Sequence, residues 1–307
     1  MIYTVYLLLF GVLLTGLAGL AAGWFDRKVT ARVHYRVGPP LLQPLWDLIK
    51  LTGKETLVPE GAHRALFLAA PVIAFAAAAL GSTILWVTAL GAHSGFVGDW
   101  IVVLYLLLIP PLAGILGGFA SRNPLASVGA SREMQLLLGY ELPFLLALMV
   151  PVVKTGGQFR LEELVAWQAT AGSFAWAPSG VLALLAAIVC VQAKLTLVPF
   201  DQPEAETELA GGSLIEYSGA ALALFRLTRH MLLFALPFLL ILLFLGGTGT
   251  NPVQWAAAVL KYVILLAVIT VVRNTNPRVR TDQALRFFWG PTTVAALVAV
   301  GLAAAGH

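Results

Sequence analysis

The sequence predicts an all-α integral membrane protein of about eight transmembrane helices with a long cytoplasmic first loop, and three observations predict it. Hydrophobic side chains make up 59% of the 307 residues and charged ones only 11%, against about 25% charged in soluble domains. Apolar stretches of roughly 20 residues, the length that carries a helix across a bilayer core, recur along the chain. The basic residues, finally, gather in alternate loops. With a mean hydropathy of +0.88, the chain has too little polar surface for a water-soluble globule, so lipid must cover most of it.

Taken in order, the spans fall near residues 3–24, 65–90, 99–120, 134–153, 180–198, 230–247, 256–273 and 286–305, within one polytopic domain over 1–307. The first has no basic leader and no small-residue cleavage site, and its apolar run exceeds the roughly 7–15 residues of a signal peptide, so it reads as a span. The loop at 25–64 carries Pro39 and Pro40, then Leu41, Leu42, Leu45, Trp46, Leu48, Ile49 and Leu51. That spacing predicts a short amphipathic helix on the membrane surface or against a partner. The loop at 199–217 holds Asp201, Glu204, Glu206, Glu208 and Glu216, five of the 15 acidic residues.

Loops after the first, third, fifth and seventh spans hold 15 of the 19 Lys and Arg residues: seven from Arg27 to Arg64, then Arg122 and Arg132, Arg226 and Arg229, and four from Arg273 to Arg286. The positive-inside rule puts those loops in the cytoplasm of a cytoplasmic (inner) membrane protein, with both termini outside. Basic residues so distributed set topology; they form no nucleic-acid-binding stripe. The single cysteine, Cys190, has no partner for a disulfide or a cluster, and the five histidines are scattered. No phosphate-cradling loop, dinucleotide fingerprint or nucleophile with an adjacent base stands out, so no catalytic residue, metal site or cofactor site is expected in this chain.

Two of the charges inside apolar runs, besides Lys261, carry information about function. Glu141 lies in a predicted span, where lipid exposure would cost an ionised carboxylate several kcal/mol, so it should face the bundle interior or a wet cavity as a proton relay or as a structural partner. Lys194 could snorkel to the cytoplasmic interface, pair with Glu141, or pair with the acidic loop. Within that loop, a helical spacing would put Asp201, Glu204 and Glu208 on one face with Glu206 turned away. Such a face would be either a solvated acidic surface or a set of carboxylates poised for proton exchange.

Three ordered motifs carry a family likeness. They are Arg36-Val37-Gly38-Pro39 followed by Leu42-Gln43-Pro44, Asp47, Lys50-Leu51 and Lys54-Glu55; Gly129-Ala130-Ser131-Arg132-Glu133 with Tyr140-Glu141; and Pro199-Phe200-Asp201-Gln202-Pro203-Glu204-Ala205-Glu206 running through Glu208 to Glu216-Tyr217-Ser218-Gly219. Over nearly its whole length the chain resembles the respiratory complex I subunit 1 family, which includes the matching membrane subunit of energy-converting NiFe hydrogenases and formate hydrogenlyase. The resemblance implies a subunit that anchors a peripheral redox arm and couples its chemistry to ion movement. It implies coupling roles for Glu141, Asp201, Glu204, Glu206, Glu208, Glu216 and Lys194, and docking roles for Arg36, Asp47, Lys50, Lys54, Glu55 and Arg132.

Departures from the pattern bear on the branch. Complex I members carry a glutamate five residues and an arginine two residues before the proline of the acidic loop, where this chain has Lys194 and Leu197 before Pro199. The loss of both, with Glu-Ala-Glu at 204–206 and Gly-Ala-Ser-Arg-Glu-Met at 129–134, resembles the hydrogenase branch more. That branch implies a NiFe centre and iron–sulfur clusters in a peripheral large and small subunit, a ferredoxin-type electron carrier, an antiporter-like membrane subunit and movement of H⁺ or Na⁺. The alternative is the NADH:quinone oxidoreductase branch, with a quinone bound. A stand-alone ion transporter is a remote reading, since no internal repeat or pair of broken helices is evident.

Overall fold

Helices form wherever the sequence is apolar and uninterrupted, and the computed structural model describes residues 2–91, 95–249 and 251–306, without the side chains of residues 2, 3, 206 and 207. Among the described residues seven helices are long and apolar enough to cross a membrane: α1 (Thr4–Val33), α3 (Arg64–Ala89), α4 (Asp99–Ala120), α5 (Pro124–Lys154), α8 (Gly219–Phe244), α9 (Pro252–Thr275) and α10 (Thr281–Ala304). The shorter apolar α7 (Pro178–Lys194) has 17 residues, the lower limit for a span of ~17–25 residues. Among the described residues two further helices of ten or more residues, α2 (Gln43–Thr52) and α6 (Leu161–Ala171), lie in connections. No strand occurs among the described residues.

Hydrogen bonds between connections fix the topology. At one end of the bundle, the His63 amide donates to the Ala120 carbonyl, the Leu57 amide to Ser218 Oγ, and the Val279 amide to the Pro199 carbonyl. At the other end, Asp99 Oδ1 accepts from the Leu161 amide, Gln168 Nε2 donates to the Leu242 carbonyl, and Thr248 Oγ1 to the Ala89 carbonyl. Alternate connections therefore meet at the same end, and α7, like its neighbours, runs from one end to the other.

Four helices extend into charged segments beyond the sequence windows: α1 runs on to Val33, α5 starts at Pro124 rather than 134, α8 at Gly219 rather than 230, and α10 at Thr281 rather than 286. Each extension carries charges, such as Arg132 and Glu133 or Arg226 and Arg229, that a hydropathy window rejects and a helix tolerates. Local signals do mark the true starts. Asn123 Oδ1 accepts from the Leu125 amide ahead of Pro124, and Asn251 forms a capping box with Gln254 ahead of Pro252, both with proline at the first helical turn. Conversely, α7 stops at Lys194 rather than 198, because Thr196 takes φ +50° and Pro199 disfavours helix in the residue before it.

Burial sorts the helices. Every residue of α8 from Met231 to Phe244 is buried, as expected of a helix apolar on all sides that sits at the centre. It packs on α1 and α3, α4 lies along α3, and α5 packs against α7 and α10. α1 and α9 instead expose Leu8, Leu13, Leu17, Val259, Leu260 and Ile264 on faces suited to lipid. Two π-helical stretches, Leu7–Leu14 in α1 and Phe288–Thr292 around Pro291 in α10, loosen the backbone. The predicted amphipathic helix is α2, which buries Pro44 and Leu51 and leaves Trp46 and Ile49 half exposed.

Candidate functional site

The charged groups come together at the end where the basic loops meet. Glu141 lies on α5 and Lys194 at the last turn of α7; the two pair, Nζ to Oε2, at 3.1 Å, with side-chain exposures of 0% for the lysine and 17% for the glutamate. The rings of Phe144 and Tyr140 stand 4.7 and 5.7 Å from the ammonium. Of the pairings open to Lys194, the structure takes the one with Glu141, and Arg132 takes no part in it.

The acidic loop is not the single helical face that its spacing suggests. Its backbone breaks into a 3-10 turn at Gln202–Glu204, a one-turn helix at Glu206–Leu209 and a second 3-10 turn at Gly212–Leu214. Pro203 and Gly212, at φ +64°, favour such breaks. Like charges are separated rather than stacked, each against a cation or amide from a different element. Asp201 is held in a fork by Arg278, Nε to Oδ1 at 2.8 Å and Nη2 to Oδ2 at 2.6 Å. Arg229 of α8 donates to both oxygens of Glu204 at 2.6 Å and also reaches the Leu195 and Thr196 carbonyls at 3.3 Å, where a helix C-terminus favours a cation. Arg132 meets Glu208 at 2.6 Å, and Glu216 accepts from the Asn123 amide group. The Glu206 side chain lies outside the described residues.

A close approach anchors the loop to α5. A Cβ on Gly129 would stand 2.7 Å from the Ser213 amide nitrogen, so only glycine lets the turn lie flat on the helix. From there Ser213 Oγ donates to Glu133 Oε2 at 3.0 Å. Above the loop, the Tyr217 hydroxyl donates to the Phe67 carbonyl at 3.0 Å and its ring stacks on Phe67 at 4.1 Å; burial pushes the phenol up. Between loop, α4, α7 and α8 opens a cavity of about 540 Å³ whose polar lining includes Glu133, Lys194, Glu204 and Arg229 and whose apolar lining includes Leu222, Phe225 and Leu232.

The candidates for docking divide. Arg36, Lys50, Lys54 and Glu55 are exposed on the first loop. Asp47 is turned inward: burial pushes its carboxyl up, but hydrogen bonds from Arg27 and Gln43, both at 2.8 Å, and the nearby Lys50 hold it below its ordinary value. Asp47 thus ties α2 to α1, and Arg132, bound to Glu208, belongs to the acidic loop.

Sequence reasoning passes over Glu133 as a site residue and reads Arg229 and Arg278 as topology alone. A signal for Glu133 is present, because it precedes Glu141 by eight residues and so shares a side of α5 with it. α6 also escapes, at 11 residues too short for a span window. Asp26 of α1, bonded to Arg273 of α9, is a further internal pair. Among the described residues no group of three or more metal-ligating side chains converges, and Cys190 is buried.

The NADH dehydrogenase family profile matches residues 4–304. The H subunit of the NADH-quinone oxidoreductase of Thermomicrobium roseum is 36% identical over 318 aligned positions, covering 95% of this chain and 92% of that protein. Its counterpart from Anoxybacillus flavithermus is 35% identical over 290, covering 89% and 84%. Among solved structures, a chain of the membrane-bound sulfane sulfur reductase, an archaeal respiratory membrane complex, is similar with a TM-score of 0.89 and 28% identity, over 99% of this chain and 100% of that one.

Proposed function

The chain belongs to the NADH dehydrogenase subunit 1 family and is a membrane subunit of a complex I-like respiratory complex, and from that premise we propose that it anchors and couples an energy-converting NiFe hydrogenase. In this reading a peripheral large subunit with the NiFe centre and a small subunit with iron–sulfur clusters, fed by a ferredoxin-type carrier, reduce protons. An antiporter-like membrane subunit and this chain move H⁺ or Na⁺ across the cytoplasmic membrane. The termini lie outside, the basic end of the bundle faces the cytoplasm, and Arg36, Lys50, Lys54 and Glu55 meet the peripheral arm. Glu141, Asp201, Glu204, Glu206, Glu208 and Glu216, with Lys194, carry the coupling.

One observation carries the branch. Where quinone-reducing relatives are expected to present a glutamate and an arginine, this chain buries Lys194 in an ion pair with Glu141 and packs Leu197 against the core. No cation is left at 197 for an anionic ring oxygen. The competing reading, a quinone-linked oxidoreductase, draws support from the two bacterial relatives, both from NADH-quinone oxidoreductases. Under it, the apolar wall of the cavity at Leu222, Phe225 and Leu232 and the polar groups of Glu204 and Arg229 would receive the quinone. Purifying the intact complex and assaying both activities separates the two: hydrogen turnover insensitive to quinone-site inhibitors is expected, and stoichiometric quinone reduction blocked by such inhibitors would move the protein to the other branch.

A further inference from the structure

Glu133 is the carboxylate of this cluster that the charge pairing leaves over. Glu133 and Glu204 line the cavity with Lys194, Arg226 and Arg229; Glu204 is matched by Arg229 at 2.6 Å, and Lys194 is taken by Glu141, beside the cavity, at 3.1 Å. Glu133, half-buried, has no cation within 4.0 Å among the described residues, and its carboxylate accepts instead from the neutral Ser213 hydroxyl, at 3.0 Å. Opposite it stands Gly114, which brings no side chain, so the carboxylate faces the cavity rather than a wall.

We propose that Glu133 is the group that takes up and releases the coupled proton, with the two ion pairs as the fixed charges that surround it. This deepens the coupling role proposed above, and it holds for either redox branch. The chemistry is a plain proton transfer. A hydrated proton arriving through the cavity converts the Glu133 carboxylate to a neutral carboxylic acid and leaves water; release reverses the step, with no electron moved.

The surroundings favour such a change of state at this position over the others. A carboxylate locked in a two-oxygen fork, as Glu204 is, or against an enclosed ammonium, as Glu141 is, loses a strong charge-assisted bond on protonation. Glu133 loses only a bond from a hydroxyl, which can rotate and accept instead of donate. The charged and titratable groups that line the cavity with it are Glu204 and Tyr217 from the loop, Arg226 and Arg229 from α8 and Lys194 from α7; on its own helix Tyr140 lies within electrostatic reach, and the adjacent Arg132 is turned to Glu208. Protonating Glu133 relieves its repulsion with Glu204 and loosens the hold of Arg229, giving redox-driven movement of the loop a handle on the proton.

The test uses the whole complex in sealed vesicles, with ion translocation per turnover measured beside the infrared difference spectrum, in which a neutral carboxylic acid shows a separate carbonyl stretch. Glu133→Gln is expected to assemble and transfer electrons yet to lower translocation per turnover by about tenfold or more and to abolish that band, with Glu133→Asp restoring both. Glu141→Gln should leave the band in place, and Ser213→Ala, which removes only the hydrogen bond, should shift its frequency. Wild-type translocation and an unchanged band in Glu133→Gln would overturn the proposal, as would an unshifted band in Ser213→Ala if the glutamine variant does not assemble. A wild-type complex that moves no ion would instead overturn the coupling role itself.

Discussion

Replacing Glu141 by glutamine leaves the enclosed Lys194 ammonium without a counter-charge. Breaking a buried pair from one side costs about 3–5 kcal/mol, whereas replacing both members by apolar groups is often neutral. Glu141→Gln and Lys194→Met are therefore each expected to lower the melting temperature of the purified complex, and the Glu141→Leu/Lys194→Met double variant to recover most of the loss. Additive losses in the double variant would show that the two residues act apart. At this scale the sequence is informative about which side chains matter and poor on whom they meet. Glu141 and Lys194 stand out because a charge in an apolar run is costly anywhere, but the partner 53 residues away is set by tertiary packing. The same limit explains Arg229 and Arg278, whose tasks appear only when α8 and the loop after α9 are brought against the acidic loop.

The elements that hold the site are the loop at 199–217 and α2, and each makes a prediction. Gly129→Ala places a methyl group into the Ser213 backbone, so the turn at Gly212–Leu214 must lift off α5. Proteolysis within the loop should accelerate in that variant while the spans stay assembled; equal cleavage rates would mean that the contact is slack. In α2, Trp46 and Ile49 are half exposed beside the basic residues of the first loop. Trp46→Asp with Ile49→Asp should release the peripheral module from membranes without affecting insertion, and full retention of that module would remove α2 from the docking surface. The amphipathic helix is legible because apolar residues at helical spacing follow Pro39-Pro40. The broken backbone of the acidic loop is not, because carboxylate spacing says nothing of where arginines from other helices will arrive.

At the scale of the whole molecule, successive connections lie at opposite ends, and the basic loops share one end. Cys190 is fully buried, so introduced cysteines can be labelled against a silent background. In right-side-out vesicles, Gln158→Cys should react with a membrane-impermeant maleimide and Glu60→Cys should not; the reverse pattern would invert the proposed orientation. The spans are legible because hydropathy measures what lipid demands. Their ends are not, since helices continue past the hydrocarbon into water wherever capping and packing allow.

The brevity of α7 has an electrical consequence. Seventeen residues give a helix of about 25 Å, some 5 Å short of a typical hydrocarbon core, and at its last turn lies the cavity lined by Glu133, Lys194, Glu204 and Arg229. A polar inlet there lets the potential of the basic side reach Lys194 and Glu133 almost undiminished. The membrane voltage, worth about 2.3 kcal/mol per charge at 100 mV, is then dropped over the thinner layer of protein beyond them. Under the proton-carrying role proposed for Glu133, a proton there has crossed little of that field, so a voltage across the membrane should slow the steps after Glu133 and leave its own filling nearly unaffected.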